Sequence, residues 1–223
     1  MTREVGQTEI TTEEGIEVFQ NEKYYLLKKN VKIDSDEFIL FGDKIKIFFE
    51  KDLYDIKVID AFGNVRLDSS LYNIKASGTN LTFQVEDEEI HIIGTNSKLL
   101  TNDTNMFSDG EIKVNNTNGK FLIYGPNSKM ESENIYIEGN YIDGIFSTIE
   151  DIKEIELLNV NDEKIAFVKN KDTDMYANIV RYNKETSIME LEDNVKIIRD
   201  GETITGDYGT LDTETNSYKV KSK

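Results

Sequence analysis

Apolar and polar residues alternate with a period of two along most of this chain, as at Ile45, Ile47 and Phe49, Ile56 and Val58, Ile74 and Ala76, Leu81, Phe83 and Val85, and Ile90 and Ile92. The spacing returns at Ile112 and Val114, Ile135 and Ile137, Val195 and Ile197, and Tyr218 and Val220. Successive side chains of a strand point to opposite faces, so the pattern predicts antiparallel strands with one buried and one wet face. Clusters of turn formers separate the runs: Asp34-Ser35-Asp36, Asp60-Ala61-Phe62-Gly63-Asn64, Glu86-Asp87-Glu88-Glu89, Asn115-Asn116-Thr117-Asn118-Gly119, Asn159-Val160-Asn161-Asp162 and Asp200-Gly201. Such spacing predicts many short strands in a sandwich, barrel or elongated roll. Residues 11–19 fit either a short helical turn or an opening strand. Residues 95–110, rich in Asn, Thr and Ser, break the alternation and read as an irregular insertion. No linker divides the chain, which reads as a single domain over 1–223.

A short phrase recurs within this pattern. It runs Asn-Val-basic-aliphatic, then a strand-like stretch, a Gly, and apolar residues in alternate positions. It occurs as Asn30-Val31-Lys32-Ile33 with Gly42, Ile45 and Ile47, and as Asn64-Val65-Arg66-Leu67 with Gly78, Leu81 and Phe83. A third copy is Asn194-Val195-Lys196-Ile197 with Gly206 and Leu211, echoed upstream by Ala177, Val180 and Tyr182. A repeated strand-turn-strand unit has one sticky face and is unstable alone, so the copies are expected to stack around one apolar interior. By shared parity and by the phrase, Ile47, Phe49, Val65, Leu67, Ile74, Leu81, Phe83, Ile92, Val195 and Ile197 are expected to point into it. Two readings of that interior stay open: a core filled by its own side chains, or a groove for an acyl-chain ligand.

Composition narrows the classes. One proline, no tryptophan, no cysteine and 14 glycines favour strands and tight turns. The balance of 26 Lys+Arg against 43 Asp+Glu gives a net charge of -17, which repels polyanions and argues against nucleic acid as a partner. Without cysteine there is no disulfide framework and no thiolate metal site. No apolar run is long enough to span a bilayer. An exported form of the protein is expected to have lost its signal segment, in which case Met1 is not its native start.

Little in the chain points to catalysis. His91 is the one histidine, and its alternation with Ile90 and Ile92 is expected to turn it outward. A nucleophilic triad would need that residue. The acidic clusters at 34–37, 86–89 and 172–174 lack the loop spacing of a calcium site and read as solvated turns. Carboxylate pairs are expected by chance among so many acids, and no tryptophan offers a sugar platform. Gly206-Asp207-Tyr208-Gly209 is neither a Walker loop nor a dinucleotide fingerprint. The expectation is a non-enzyme with no cofactor and no metal.

The phrase, above all the run NVKIIRDGETITGDYGTLDTETNSYKV at 194–220, resembles the lipopolysaccharide-transport family of LptA and OstA-like domains, of alphaproteobacterial type. Asn194, Val195, Lys196, Ile197, Ile204, Gly206, Leu211 and Asp212 match that family's strand-turn-strand pattern. The copy over 64–83 matches it as well, and that over 30–47 a little less closely. The resemblance covers most of 13–94 and 162–222, whereas 95–161 matches by alternation alone. It implies an elongated open β-jellyroll whose interior carries lipid A acyl chains in the periplasm. It implies as partners lipopolysaccharide, further copies of the chain stacked head to tail, and related jellyroll domains of the inner- and outer-membrane transport components. On this reading the ten inward residues line the lipid groove. A surface or adhesive β-solenoid, a carbohydrate-active β enzyme, and an enlarged relative of the inner-membrane partner LptC are the alternatives.

Overall fold

The structure is a computed structural model that describes residues 6–51, 55–133, 135–149 and 152–222; Met1 lies outside them. Among the described residues every regular element is a strand, in agreement with the all-β class expected from the alternation. The first ten are β1 (Glu9–Thr11), β2 (Ile16–Phe19), β3 (Tyr24–Asp34), β4 (Phe38–Phe49), β5 (Ile56–Ser69), β6 (Ile74–Gln84), β7 (Glu89–Ile93), β8 (Ser97–Leu100), β9 (Thr104–Ser108) and β10 (Glu111–Asn115). There follow β11 (Lys120–Tyr124), β12 (Lys129–Ser132), β13 (Ile135–Glu138), β14 (Tyr141–Ile149), β15 (Ile152–Asn170), β16 (Thr173–Asn183), β17 (Ile188–Arg199), β18 (Glu202–Asp212) and β19 (Tyr218–Lys221). The pairings among them are antiparallel, which removes the parallel β-solenoid alternative. Residues 11–19 hold strand rather than helix.

The chain forms two compact units, Met1–Asn102 with Asp109–Thr117, and Asp103–Ser108 with Asn118–Lys223. The reading as one domain had no composition break to divide it. The division is hidden in the chain order, because β9 pairs with β12 of the second unit while the later β10 pairs with β7 of the first.

In the first unit β3, β4, β5 and β6 form a meander of long hairpins, and each strand is interrupted midway. Lys29-Asn30 in β3 and Gly63-Asn64 in β5 are consecutive left-handed residues, with φ of 62 and 50° and of 72 and 49°. Across both pairs the register slips there: Lys28 faces Lys44 but Val31 faces Gly42, and Phe62 faces Asn80 but Val65 faces Gly78. Two residues on the Asn strand thus oppose one on its neighbour, the definition of a β-bulge. Its consequence is a change of parity. In β4 the inward set runs Leu40, Gly42, then Ile45, Ile47 and Phe49; in β6 it runs Ile74, Ala76, Gly78, then Leu81 and Phe83. The bulges lie side by side across neighbouring strands and bend them together, so the sheet folds into two leaves whose apolar faces meet.

The second unit repeats the device. Asp193-Asn194 in β17 have φ of 59 and 54°, with the register slipping between Glu192 and Val195. Ala177 and Val180 carry the parity change in β16. In β15 the excursion is longer, Asn161 facing Ile179 but Ala166 facing Ala177.

Side-chain amides stitch these bulges to their neighbours. Asn64 Nδ2 donates to Asp43 Oδ2 at 2.9 Å, Asn30 Nδ2 to a Glu13 carboxylate, and Asn194 Nδ2 to Asn178 Oδ1 at 2.6 Å. Asn178 in turn donates to the carbonyls of Asp162, Glu163 and Lys164 at 2.9, 3.2 and 3.3 Å, closing the β15 excursion. The Asn of each phrase therefore accepts the left-handed backbone, which Asn tolerates better than most residues, and ties the bulge across the sheet.

Two sequence expectations change for this reason. Asp60-Ala61-Phe62-Gly63-Asn64 and Asn159-Val160-Asn161-Asp162 read as turns but lie inside β5 and β15. Residues 95–110 are not irregular either, since they carry β8 and β9, whose inward positions are Ser97, Thr104 and Ser108 as well as Leu99 and Met106. Buried hydroxyls replace apolar side chains there, and their hydrogen bonds are satisfied: Ser97 Oγ donates to Gly94 O at 2.7 Å and Ser108 Oγ to Tyr124 O at 2.8 Å. A turn repeated in both units accompanies them. Gly94-Thr95-Asn96-Ser97-Lys98 recurs as Gly125-Pro126-Asn127-Ser128-Lys129, and Ser128 Oγ donates to Gly125 O at 2.7 Å in the same way.

Asn64→Val places a β-branched residue at positive φ and removes the bond to Asp43, whereas Asn64→Gly keeps the backbone and loses only the bond. Denaturant unfolding should show the valine variant destabilised by about 2–3 kcal/mol and the glycine variant by about 1 kcal/mol or less. Equal losses would mean that the handedness of the bulge is not the constraint.

Candidate functional site

The interior between the leaves of the first unit holds an apolar cavity. Phe38, Leu40, Leu67 and Ser69 from one leaf face Ile59, Leu81, Phe83 and Ile90 from the other, and Tyr72 closes one end. The space left between them is a cavity of about 20 Å³, room for roughly one water molecule. Each Leu, Ile or Phe buried here contributes on the order of 1.5–3 kcal/mol, so the leaves are held together mainly by this contact.

All ten residues expected to point inward lie on the inner face. Leu67, Leu81 and Phe83 line the cavity. Ile47, Phe49, Val65, Ile74 and Ile92 are buried in the same unit without lining it, and Val195 and Ile197 are buried in the second unit. The residues missed by sequence were Phe38, Leu40, Ile59, Tyr72 and Ile90. Leu40 and Phe38 precede the parity change at Gly42, so the alternation counted from Ile45, Ile47 and Phe49 puts them on the wrong face. Ile90 shares the parity of Ile92 and was legible.

The inner face is not sealed at its margins. Ile16 stands opposite the fully buried Leu27 and is 50% exposed, and Val18, opposite Tyr25, is 48% exposed. In the second unit Ile204 stands opposite buried Ile197 yet is 38% exposed. Each belongs to a margin where apolar side chains continue past the last covering strand. Among the described residues β2 pairs only with β3, and β19 covers only Tyr208 to Leu211 of β18.

The outer faces carry charge and rings. Cation-over-ring contacts recur across the strands: Lys44 over Phe62 at 4.6 Å, Lys46 over Tyr24 at 5.0 Å and Lys196 over Tyr176 at 5.4 Å. Ion pairs such as Lys28–Glu17 at 2.6 Å and Arg181–Glu192 at 2.5 Å are exposed and screened by solvent, so they add little to stability. His91 faces outward as expected, and its Nε2 lies 2.6 Å from Glu111 Oε2 on β10. Among the described residues no three acidic, His or Cys side chains gather as a metal site, and no helix is long and apolar enough to cross a membrane. A three-ring row crosses the second unit, with Tyr136–Phe167 centroids at 6.0 Å and Phe167–Tyr176 at 5.0 Å. Burial first, and then the hydrogen bond to the Glu138 carboxylate, push the Tyr136 phenol up to about 12.

No protein-family model matches the chain, and no curated protein matches it. Among solved structures it is similar to LptH of Pseudomonas aeruginosa, the LptA-homologous periplasmic component of a lipopolysaccharide transport device. The identity is 17% and the TM-score 0.44, over 54% of this chain and 82% of that one. A likeness of that size assigns neither family nor activity.

The phenol of Tyr136 is held neutral in the folded protein, with a folded value of about 12 above the usual value of about 10. Its contribution to stability is therefore complete below about pH 10 and is lost as the pH rises through about 12. Burial also raises the phenols of Tyr72 and Tyr208, so alkaline titration of the tyrosinate absorbance should show a late group among the 11 tyrosines, and Tyr136→Phe should delete its last step alone. A late step that survives the substitution belongs to another residue.

Proposed function

We propose that this chain is a carrier for lipid acyl chains, taking them between its sheet leaves, and that it serves as a periplasmic bridge for lipopolysaccharide. The observation that carries the reading is the apolar inner face running out to uncovered margins at Ile16, Val18 and Ile204. The resemblance of the repeated phrase to the lipopolysaccharide-transport family points the same way.

The energetics are compatible with loading by displacement. The cavity of about 20 Å³ does not hold an acyl chain as it stands, so the leaves or their side chains must part. Each methylene transferred from water returns about 0.8 kcal/mol, and a chain of about ten carbons offers on the order of 8 kcal/mol towards that separation. Loading needs no catalytic group. The anionic headgroups would stay outside, since a chain of net charge -17 repels them from most of its surface. The uncovered edges of β2 and β19 are where further copies, or related jellyroll domains of the membrane components, would add a strand.

A photo-crosslinking residue at Phe83, which lines the cavity, should capture lipopolysaccharide, and one at the exposed neighbour Gln84 should not. No capture at Phe83 would indicate a closed core, and equal capture at both would indicate adsorption; either removes the carrier reading. Sedimentation should show self-association that rises with concentration and weakens when residues 218–223 are removed. Monomers at all concentrations in both forms would remove the bridge.

A further inference from the structure

A second concavity lies on the outer face of the first unit, on the other side of the sheet from the apolar interior. Its floor is a row of cross-strand neighbours, Phe41 on β4, Arg66 on β5, Ser77 on β6 and Lys98 on β8, and the row runs on past the cleft to Lys32 on β3. One step along the strands, Asp68, Lys75 and Leu100 continue it. The cleft over Phe41, Arg66, Ser77, Lys75 and Lys98 encloses about 300 Å³, the lower end of the range for small-molecule sites.

The charges in this cleft are unlike those of the chain as a whole. Lys75 is 3.5 Å from Asp68, and Lys32, at the end of the row, is 2.7 Å from Asp34. Arg66 and Lys98 have no carboxylate partner among the described residues. Arg66 rests its guanidinium over the Phe41 ring, 5.1 Å from the centroid, and Lys32 approaches the same ring at 6.0 Å. The ring orients Arg66 by its face and takes none of its N–H donors.

Arg66 and Lys98 flank Ser77 from either side, two strand spacings apart, or about 10 Å between backbones. Both side chains are long enough to close on a group seated over the Ser77 hydroxyl. A planar fork, an ammonium and a hydroxyl around one point is a donor set for a tetrahedral oxyanion: the fork is bidentate, the ammonium acts as a point charge, and the hydroxyl donates a third bond. Beyond the bulge the groove continues past Asn64, Thr79, Thr95 and Asn96, which offer amide and hydroxyl groups to whatever carries the oxyanion. The second unit differs at the matching turn. Its matching lysine, Lys129 of the repeated turn, stands in register with Glu138 and Phe107.

We propose that this outer cleft binds a phosphate group, with Arg66 and Lys98 closing on it over Ser77. The cleft and the apolar cavity share Leu67 in their walls, but Arg66, Ser77 and Lys98 take no part in the cavity, so failure of phosphate binding would leave the carrier reading untouched, and the reverse holds as well. Two sources present the same chemistry, a soluble phosphoester and a phosphorylated lipid headgroup.

Inorganic phosphate titrated into the full chain and followed by phosphorus NMR should show one saturable site. Arg66→Gln and Lys98→Gln should each weaken binding about tenfold or more, while Lys219→Gln on β19, an exposed lysine elsewhere, should leave it unchanged. Vesicles of phosphatidic acid, compared with phosphatidylcholine, separate the sources. Retention on phosphatidic acid that is lost in both cleft variants assigns a headgroup, whereas saturable phosphate binding without retention assigns a soluble phosphoester. Neither binding nor retention overturns the proposal, as does an equal loss in the Lys219 variant. Melting curves of the three variants should coincide with the parent, because all three side chains are exposed.

Discussion

A pair of left-handed residues in the middle of an extended strand is costly unless the surrounding sheet demands it, and here the neighbouring strands demand it together. Lys29-Asn30, Gly63-Asn64 and Asp193-Asn194 each insert one residue against their partners. At Gly63 a side chain would stand 2.3 Å from an Asp43 carboxylate oxygen, so that position has no room for a Cβ and a φ that favours glycine. Because side chains alternate with a period of two, one inserted residue moves every later apolar group of the adjoining strands to the opposite face. The sheet bends where that happens, and both leaves present their apolar side inward. Without the bulges the same residues would make a flat sheet, greasy on different faces at its two ends.

The interior that results is tight. Residues such as Ile45, Ala61, Leu81 and Ile92 are almost wholly removed from water, and the remaining cavity is of water size. Stability and any carrier role therefore draw on the same contacts: whatever enters must replace side-chain packing with contacts of equal quality. The margins at Ile16, Val18 and Ile204 are where that exchange costs least, since their apolar surface already meets water.

The outer surface follows a different logic. Under a net charge of -17, cations are placed over rings or opposite carboxylates, which lowers self-repulsion without adding much stability per pair. In the outer cleft Arg66 is likewise set over a ring, at Phe41, while Lys98 faces neither ring nor carboxylate among the described residues, so neither spends its charge on a protein carboxylate.

The alternation at 44–49, 74–83, 90–92 and 194–197, with the repeated phrase at 64–67, is enough to establish an all-β antiparallel protein and to put ten side chains on the inner face. The repeated Asn-Val phrase marks the positions that matter, although Gly63-Asn64, like the separate cluster at 159–162, reads as a turn and lies inside a strand. Asn and Gly favour positive φ in turns and bulges alike, and only the hydrogen-bonding partners on both sides distinguish a reversal from an insertion. β8 and β9 were illegible because Ser97, Thr104 and Ser108 occupy inward positions, where a hydroxyl is acceptable only if a specific carbonyl lies within reach. The division into two units was hidden by β9 and β10 pairing out of chain order. Local sequence thus determined which residues alternate and which accept a left-handed backbone. Which strands lie side by side, and therefore that Arg66, Ser77 and Lys98 share one row, was decided by long-range pairing alone.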